Sequence, residues 1–170
     1  MNAISLEKIN IGDTLPPLAL PPINRTTLAL FAGASGDHNA IHIDTDYARR
    51  AGMPDVFAHG MLSMAYLGRL LTQWVDQRQL REFGVRFLGI THLGHQITCS
   101  GTVVERFEVD GEQRIKVEVR TTNQYGETKI VGDAVIALTS SPGGRELAAH
   151  DRDPQRRQRD RRGQPQLGRL

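Results

Sequence analysis

The chain has 170 residues, of which 39% are apolar, 24% charged and 5% aromatic, a composition that fits one ordinary globular domain. A single cysteine, Cys99, excludes an internal disulfide framework and a cysteine-built zinc site, while the formal charge of +2 must be located before it suggests a partner. No run approaches the ~20 apolar residues of a membrane span and MNAISLEKINIGD shows no secretory leader, so a cytoplasmic protein with no membrane partner is expected.

In chain order, Pro16, Pro17, Pro21 and Pro22 punctuate the opening, which predicts an extended run rather than a helix. Thr26 or Asn24 can cap a short helix, TLALFAGAS, whose end is marked by Gly33 and Gly36. Ser35-Gly36-Asp37-His38-Asn39 reads as a polar loop. In DTDYARRAG, Asp44 is a good N-cap, Ala48 to Ala51 tolerate a helix, and Gly52 supplies the stop. MPDVFAHG connects to Met61–Val75, a run of strong helix formers interrupted only by Ser63, Arg69, Thr72 and Gln73. A helix with so little wet surface is expected to be buried on most sides. Tyr66 and Trp74 read as packing residues within it.

From Gly84 the pattern changes to strands. GVRFLGI is short, and HQITCSGTVVERFEV is long and rich in β-branched residues, with Cys99 as a small core residue. Asp110-Gly111 is a strong hairpin signal. In the return strand EQRIKVEVRTTNQ, Ile115, Val117, Val119 and Thr121 alternate with Lys116, Glu118 and Arg120, so one face is buried and the other wet. Tyr125-Gly126-Glu127 turns again and TKIVGDAVIALT closes the meander. An antiparallel sheet curled around one central helix is an α+β arrangement. GxGxxG and GxxxxGK[ST] are absent, so no nucleotide-binding motif is present.

The basic charge belongs to the end of the chain. Residues 143–170 carry a net +4, which leaves −2 on residues 1–142. HDRDPQRRQRDRRGQPQLGRL has almost nothing apolar to bury, so it reads as a solvated, disordered tail following a domain of residues 1–142. A phosphate-binding arm is the minority reading, and no nucleic-acid partner is expected.

The chemistry-bearing residues concentrate in SGDHNAIHID, residues 35–44, and in FAHGML, residues 57–62. A carboxylate and an imidazole that hold one water between them can remove a proton and return it. Asp37 and His42 are such a pair. On an ideal helix they would lie ~140° apart, so a loop and a following turn suit them better. Alone, Asp37 would be read as an Asx-turn residue and His42 as a half-buried histidine. His38 and His42 have a metal-compatible spacing, but no HExxH glutamate or third ligand accompanies them, so no metal is expected. His92 and His95 carry no functional mark.

These two segments resemble the MaoC-like (R)-specific enoyl-CoA hydratases of the hot-dog superfamily. Their pattern is S-x-D-x-N-P-[IL]-H-x-D followed some fifteen residues later by a-H-G-M. Ala40 stands where proline is common, and Gly68 stands where some members carry a serine near the site. The resemblance implies a single hot-dog domain and the hydration of a trans-2-enoyl-CoA to an (R)-3-hydroxyacyl-CoA, or the reverse dehydration. It implies Asp37 and His42 as the acid–base pair and Gly60, at a helix start with free N–H groups, as the oxyanion donor. Asn39 and His59 would brace the loop and help position substrate. No cofactor is implied beyond the CoA or acyl-carrier thioester that is the substrate. A hot-dog sheet leaves an open edge that the family closes by dimerising, so a homodimer is expected. A hot-dog thioesterase and a non-catalytic acyl-CoA-binding subunit are the rival readings. The first would not need His42, and the second would be expected to have lost Asp37 or His42.

Overall fold

The computed structural model describes residues 9–138. The expected tail, residues 143–170, and the expected boundary at 142 lie outside them. Strand β1 is Leu18–Ala19, helix α1 Arg25–Ser35, helix α2 Thr45–Arg50 and helix α3 Gly60–Trp74. Strands β2 (Leu80–Phe87), β3 (Thr98–Val109), β4 (Glu112–Thr122) and β5 (Thr128–Ala137) follow. The strands form one antiparallel sheet in the order β1-β3-β4-β5-β2.

The β3–β4 hairpin follows from its turn. Asp110 and Gly111 both adopt positive φ, 52° and 80°, as a two-residue turn that matches strand twist requires. That turn sets the register Val109↔Glu112, and the alternation in β4 is as expected: Ile115, Val117, Val119 and Thr121 are buried while Glu118 and Arg120 are exposed. Cys99 is fully buried in β3, and burial pushes its thiol up to about 12. Leu67, Leu70 and Leu71 of α3 and Val75 just after it pack into the same cluster as Ile97, Cys99 and the inward β4 residues, with Tyr66 and Trp74 against it. The sheet therefore curls around α3.

A second apolar cluster caps the first turn of α3. It contains Ile23, Leu28, Ala48, Val56, Ala58 and Leu62, so α1, α2 and the segment after α2 rest on the start of the central helix. Asn24 caps α1 by accepting the Thr27 N–H at 2.9 Å, and Asp44 caps α2 by accepting the Asp46 and Tyr47 N–H groups.

Several expectations need correction. Helix α1 begins at Arg25, two residues before the expected TLALFAGAS, and ends at Ser35 as expected, where Gly36 enters the left-handed region. The strand expected at 84–90 begins at Leu80 and ends at Phe87, with Glu82–Phe87 in register with β5. Strand β1 was not expected as a strand; its two residues pair with Cys99 and Thr98. Helix α3 is buried on most sides, as expected, but Met61, Ala65, Arg69 and Thr72 form an exposed stripe along it. Among the described residues the sheet covers one side and the α1–α2 layer covers the first turn, and neither covers that stripe. Among the described residues no helix is long and apolar enough to cross a membrane.

Candidate active site

Asp37 follows α1 in a loop held by its own side chains. Its N–H donates to the Ser35 hydroxyl at 3.2 Å, and its Oδ1 accepts the Asn39 N–H at 3.2 Å. The Asx-turn reading of Asp37 is thus correct for one oxygen, while Oδ2 has no hydrogen-bond partner among the described residues. Asn39 caps a short 3-10 turn, Ala40–His42, by accepting the Ile41 N–H at 3.1 Å. That turn swings His42 back toward Asp37, which a continuous helix could not do. His38 lies outside it, so the four-residue spacing of His38 and His42 is not a helical one.

His42 is fixed by the segment before α3. Its Nδ1 lies 2.8 Å from the Phe57 carbonyl, and the Phe57 ring packs edge-on against the imidazole. A carbonyl can only accept, so the neutral ring carries its hydrogen on Nδ1 and leaves Nε2 as an acceptor. Burial lowers the His42 pKa below the usual imidazole value and the nearby His59 adds to this, while the Phe57 bond and the Asp37 charge oppose it. His59, almost wholly buried, donates from Nε2 to the Asp37 carbonyl at 3.0 Å. Its ring lies against His42, with centroids 3.9 Å apart and planes tilted by 31°. One potential ligand atom from each of Asp37, His42 and His59 falls within 4.8 Å of the others.

That proximity meets the distance requirement for a metal, but the donor set does not suit one. His59 has spent Nε2 on the Asp37 carbonyl and its Nδ1 is sealed in the interior, while His42 has spent Nδ1 on Phe57. A metal would have only His42 Nε2 and the Asp37 carboxylate within reach.

Gly60 opens α3 directly after His59. Among the described residues no side chain caps this helix, and the first turn-closing bond is Leu62 N–H to the His59 carbonyl at 3.0 Å. The first N–H groups therefore remain for an external acceptor. A Cβ at position 60 would lie 3.0 Å from a Phe87 ring carbon, so the glycine admits that ring beside the helix start. A cleft of about 490 Å³ runs from Asp37 over Met61, Met64, Ala65 and Gly68 to Phe83, and a second, of about 300 Å³, runs from Phe57 and Gly60 past Ser63 to Thr91.

The structure thus brings Asp37, His42, His59 and Gly60 to one place and gives Asn39 a bracing contact. Sequence reasoning missed the Phe57 carbonyl and a clamp behind it. Arg25 donates to both Asp55 oxygens, at 2.7 and 2.9 Å, and to the Thr45 hydroxyl at 3.0 Å, while Asp55 also accepts the Val56 N–H. The Arg25 hydrogen bonds lead in holding the Asp55 carboxyl below its usual range. His92 and His95 meet only in a local turn, where the His92 N–H donates to His95 Nδ1.

Residues 10–125 match the family described as MaoC like domain. The chain belongs to the MaoC-like family. Its fold matches that of an unliganded R-hydratase, PhaJ1, from Pseudomonas aeruginosa, with a TM-score of 0.69 and 26% identity over 79% of this chain and 86% of that one. It is 26% identical over 124 residues to an (R)-specific enoyl-CoA hydratase from Rhodospirillum rubrum, covering 68% of this chain and 80% of that protein. It is also 27% identical over 139 residues to fatty acid synthase subunit beta of Saccharomyces cerevisiae; the match takes in 79% of this chain but spans only 7% of the synthase subunit. The hot-dog architecture and the hydratase/dehydratase family expected from residues 35–62 are both found.

Proposed function

We propose that this chain adds water across a trans-2-enoyl thioester to give the (R)-3-hydroxyacyl thioester, or runs the reverse dehydration, with Asp37 and His42 as the acid–base pair. The observation that carries the reading is the tautomer of His42. With Nδ1–H bound to Phe57, Nε2 is an acceptor, and the Asp37 carboxylate is an acceptor too. A water that donates one hydrogen to each is held with its oxygen lone pairs turned outward. As that oxygen bonds to C3, one acceptor takes a proton and a proton from the pair is delivered to C2. Water is added and the protein is returned unchanged.

Charge develops on the thioester oxygen during this step, and the N–H of Gly60 at the positive end of α3, without a partner among the described residues, is suited to receive it. Asn39 and His59 hold the Asp37 loop rather than react. The reaction uses no metal or redox cofactor in this reading, and CoA or an acyl carrier supplies the thioester.

The same reading takes the protein to be a cytoplasmic homodimer. Among the described residues strand β2 is an unpaired edge, Phe87, Leu88 and Ile90 are exposed at its end, and Met61 and Ala65 of α3 are exposed. Sedimentation equilibrium should return twice the chain mass.

A panel of enoyl-CoA thioesters, followed through loss of the conjugated enoyl absorbance, tests the activity. Hydration of at least one member with (R) product supports it. Release of free thiol without hydration would move the protein to the thioesterase reading, and binding without turnover to the non-catalytic one.

A further inference from the structure

The two clefts beside the start of α3 differ in a way the proposed reaction does not yet use. Met61 and Ala65 line the Asp37 cleft, and Ser63 lines the other. At ~100° per residue, Ser63 lies ~160° around the helix from each of them, so the clefts flank opposite sides of the helix start. The Asp37 cleft is apolar apart from Ser35 and Asp37. The other cleft carries two hydroxyls on otherwise apolar walls, Ser63 and Thr91, only 2% and 4% exposed, and neither has a hydrogen-bond partner among the described residues. Both residues line this cleft, so a ligand that displaces water there without offering a polar partner would leave their hydroxyls unpaired at a cost.

We propose that Ser63 and Thr91 are positioning residues that hydrogen-bond the amide of the thioester's pantetheine-type arm; this rests on the hydratase reading above. The reacting carbons C2 and C3 lie on the acyl side of the thioester carbonyl, and the water held at Asp37 must reach C3. With the carbonyl at the Gly60 N–H, the acyl tail therefore enters the Asp37 cleft and the sulfur points into the opposite one. An acyl tail placed there would leave both hydroxyls stranded, since it has no polar atom to offer. The arm offers a secondary amide two methylene groups beyond the sulfur, with one N–H and one C=O. Ser63 is three residues along α3 from Gly60, a rise of ~4.5 Å, which is the scale of that spacer. Ala58 and Ile130 form apolar walls for the methylenes, and Phe87 stands at the more exposed end.

The test crosses two protein changes with two substrates. Ser63→Ala and Thr91→Val are assayed on the crotonyl thioester of N-acetylcysteamine, which keeps the amide, and on S-butyl crotonyl thioester, which lacks it. Each change should raise KM for the amide-bearing thioester by about 3- to 10-fold, the worth of one ordinary hydrogen bond, with kcat nearly unchanged. On the S-butyl thioester wild type and variants should coincide. Equal losses on both substrates, or a fall in kcat alone, would overturn the assignment, as would no change on either. Melting curves accompany each variant, and if Thr91→Val unfolds, Ser63→Ala alone decides. Wild type that hydrates neither thioester nor any enoyl-CoA would instead overturn the hydratase reading itself.

Discussion

Between Ser35 and Gly60 most of the anchors are side chains bonded to backbone groups. Asn39 caps the 3-10 turn, Asp44 caps α2, His42 holds the Phe57 carbonyl and His59 holds that of Asp37. Between Thr98 and Ala137 the anchors are backbone ladders and an alternating buried face. A ladder survives most exchanges on its wet side and fails when its buried side is changed. The loop region behaves in the opposite sense: apart from Ala48, Val56, Ala58 and His59 its residues are largely exposed, and exchanging one of the exposed residues removes a few defined contacts while leaving the core intact. Activity and stability should therefore separate along the chain.

The sharpest break of that separation should come from the core. Leu70 is 2% exposed within the α3–sheet cluster, and Leu70→Asp places an uncompensated charge there at a cost of several kcal/mol. That is a large share of an ordinary domain's ~5–15 kcal/mol, so the cooperative thermal transition should be lost. Gly132→Ala tests the ladder itself. Its Cβ would fall 2.1 Å from the Gly84 carbonyl oxygen and 2.9 Å from Val85 Cα, so the β2–β5 pair must separate. Overpacking of this kind costs ~1–3 kcal/mol, read as a lower melting temperature. A Gly132→Ala protein with an unchanged transition would refute the β2–β5 register.

The next effect should be large in rate and small in stability. Asp37→Asn and His42→Ala should each reduce hydration by ~10²–10⁴, because both serve the same water. Their losses should not add, so the double variant should be little slower than either single one. Melting curves should shift little, since neither side chain belongs to an apolar cluster. Near-normal turnover in either single variant would remove the acid–base pair from the mechanism.

The same contrast explains what was legible in the sequence. Alternation in β4 and the Asp110-Gly111 turn are written in period and in backbone demand, and both were found where expected. Strand β1 is two residues long, and its strand character comes from β3 rather than from Leu18 and Ala19 themselves. The start of β2 was hidden because Arg81 and Glu82 interrupt its apolar residues. Asp37 and His42 were visible as residue types at a suggestive spacing. What orients them was not, because the Phe57 carbonyl and the Arg25–Asp55 clamp act across 15 and 30 residues. Ser63 read only as a polar interruption in an apolar helix. Its importance depends on Thr91, which nothing local links to it.

The clamp offers an intermediate test. Asp55→Ala removes the contacts to Arg25, Thr45 and the Val56 N–H, loosening the segment that presents the Phe57 carbonyl to His42. The expected loss in kcat is less than the ~10²-fold that an ångström of misplacement can cost, with only a small change in melting temperature because Arg25 is largely exposed. Arg25→Ala should show the same pattern. A drop in melting temperature as large as that of Gly132→Ala would place the clamp with the structural framework instead.

The smallest effect is in pH, and its sign follows from His42. Burial lowers the folded-state pKa below the ordinary value of about 6.5, so on acidification the unfolded chain takes up its proton first. Where the unfolded state binds more protons, stability rises with pH. The His42 contribution is therefore flat above about pH 6.5 and turns destabilising as pH falls from there toward the folded-state pKa. Hydration should follow a related course: kcat/KM should hold down to slightly acid pH and fall only below about 6.5, when Nε2 is protonated and can no longer accept from the water. Comparing melting temperatures of wild type and His42→Ala between about pH 8 and pH 5 isolates the group, since other titrations cancel to first order. The difference should move against wild type on acidification. If wild type gained on His42→Ala instead, the Asp37 carboxylate would outweigh burial, His42 would enter the reaction as a cation, and the water would have to be held by Asp37 alone.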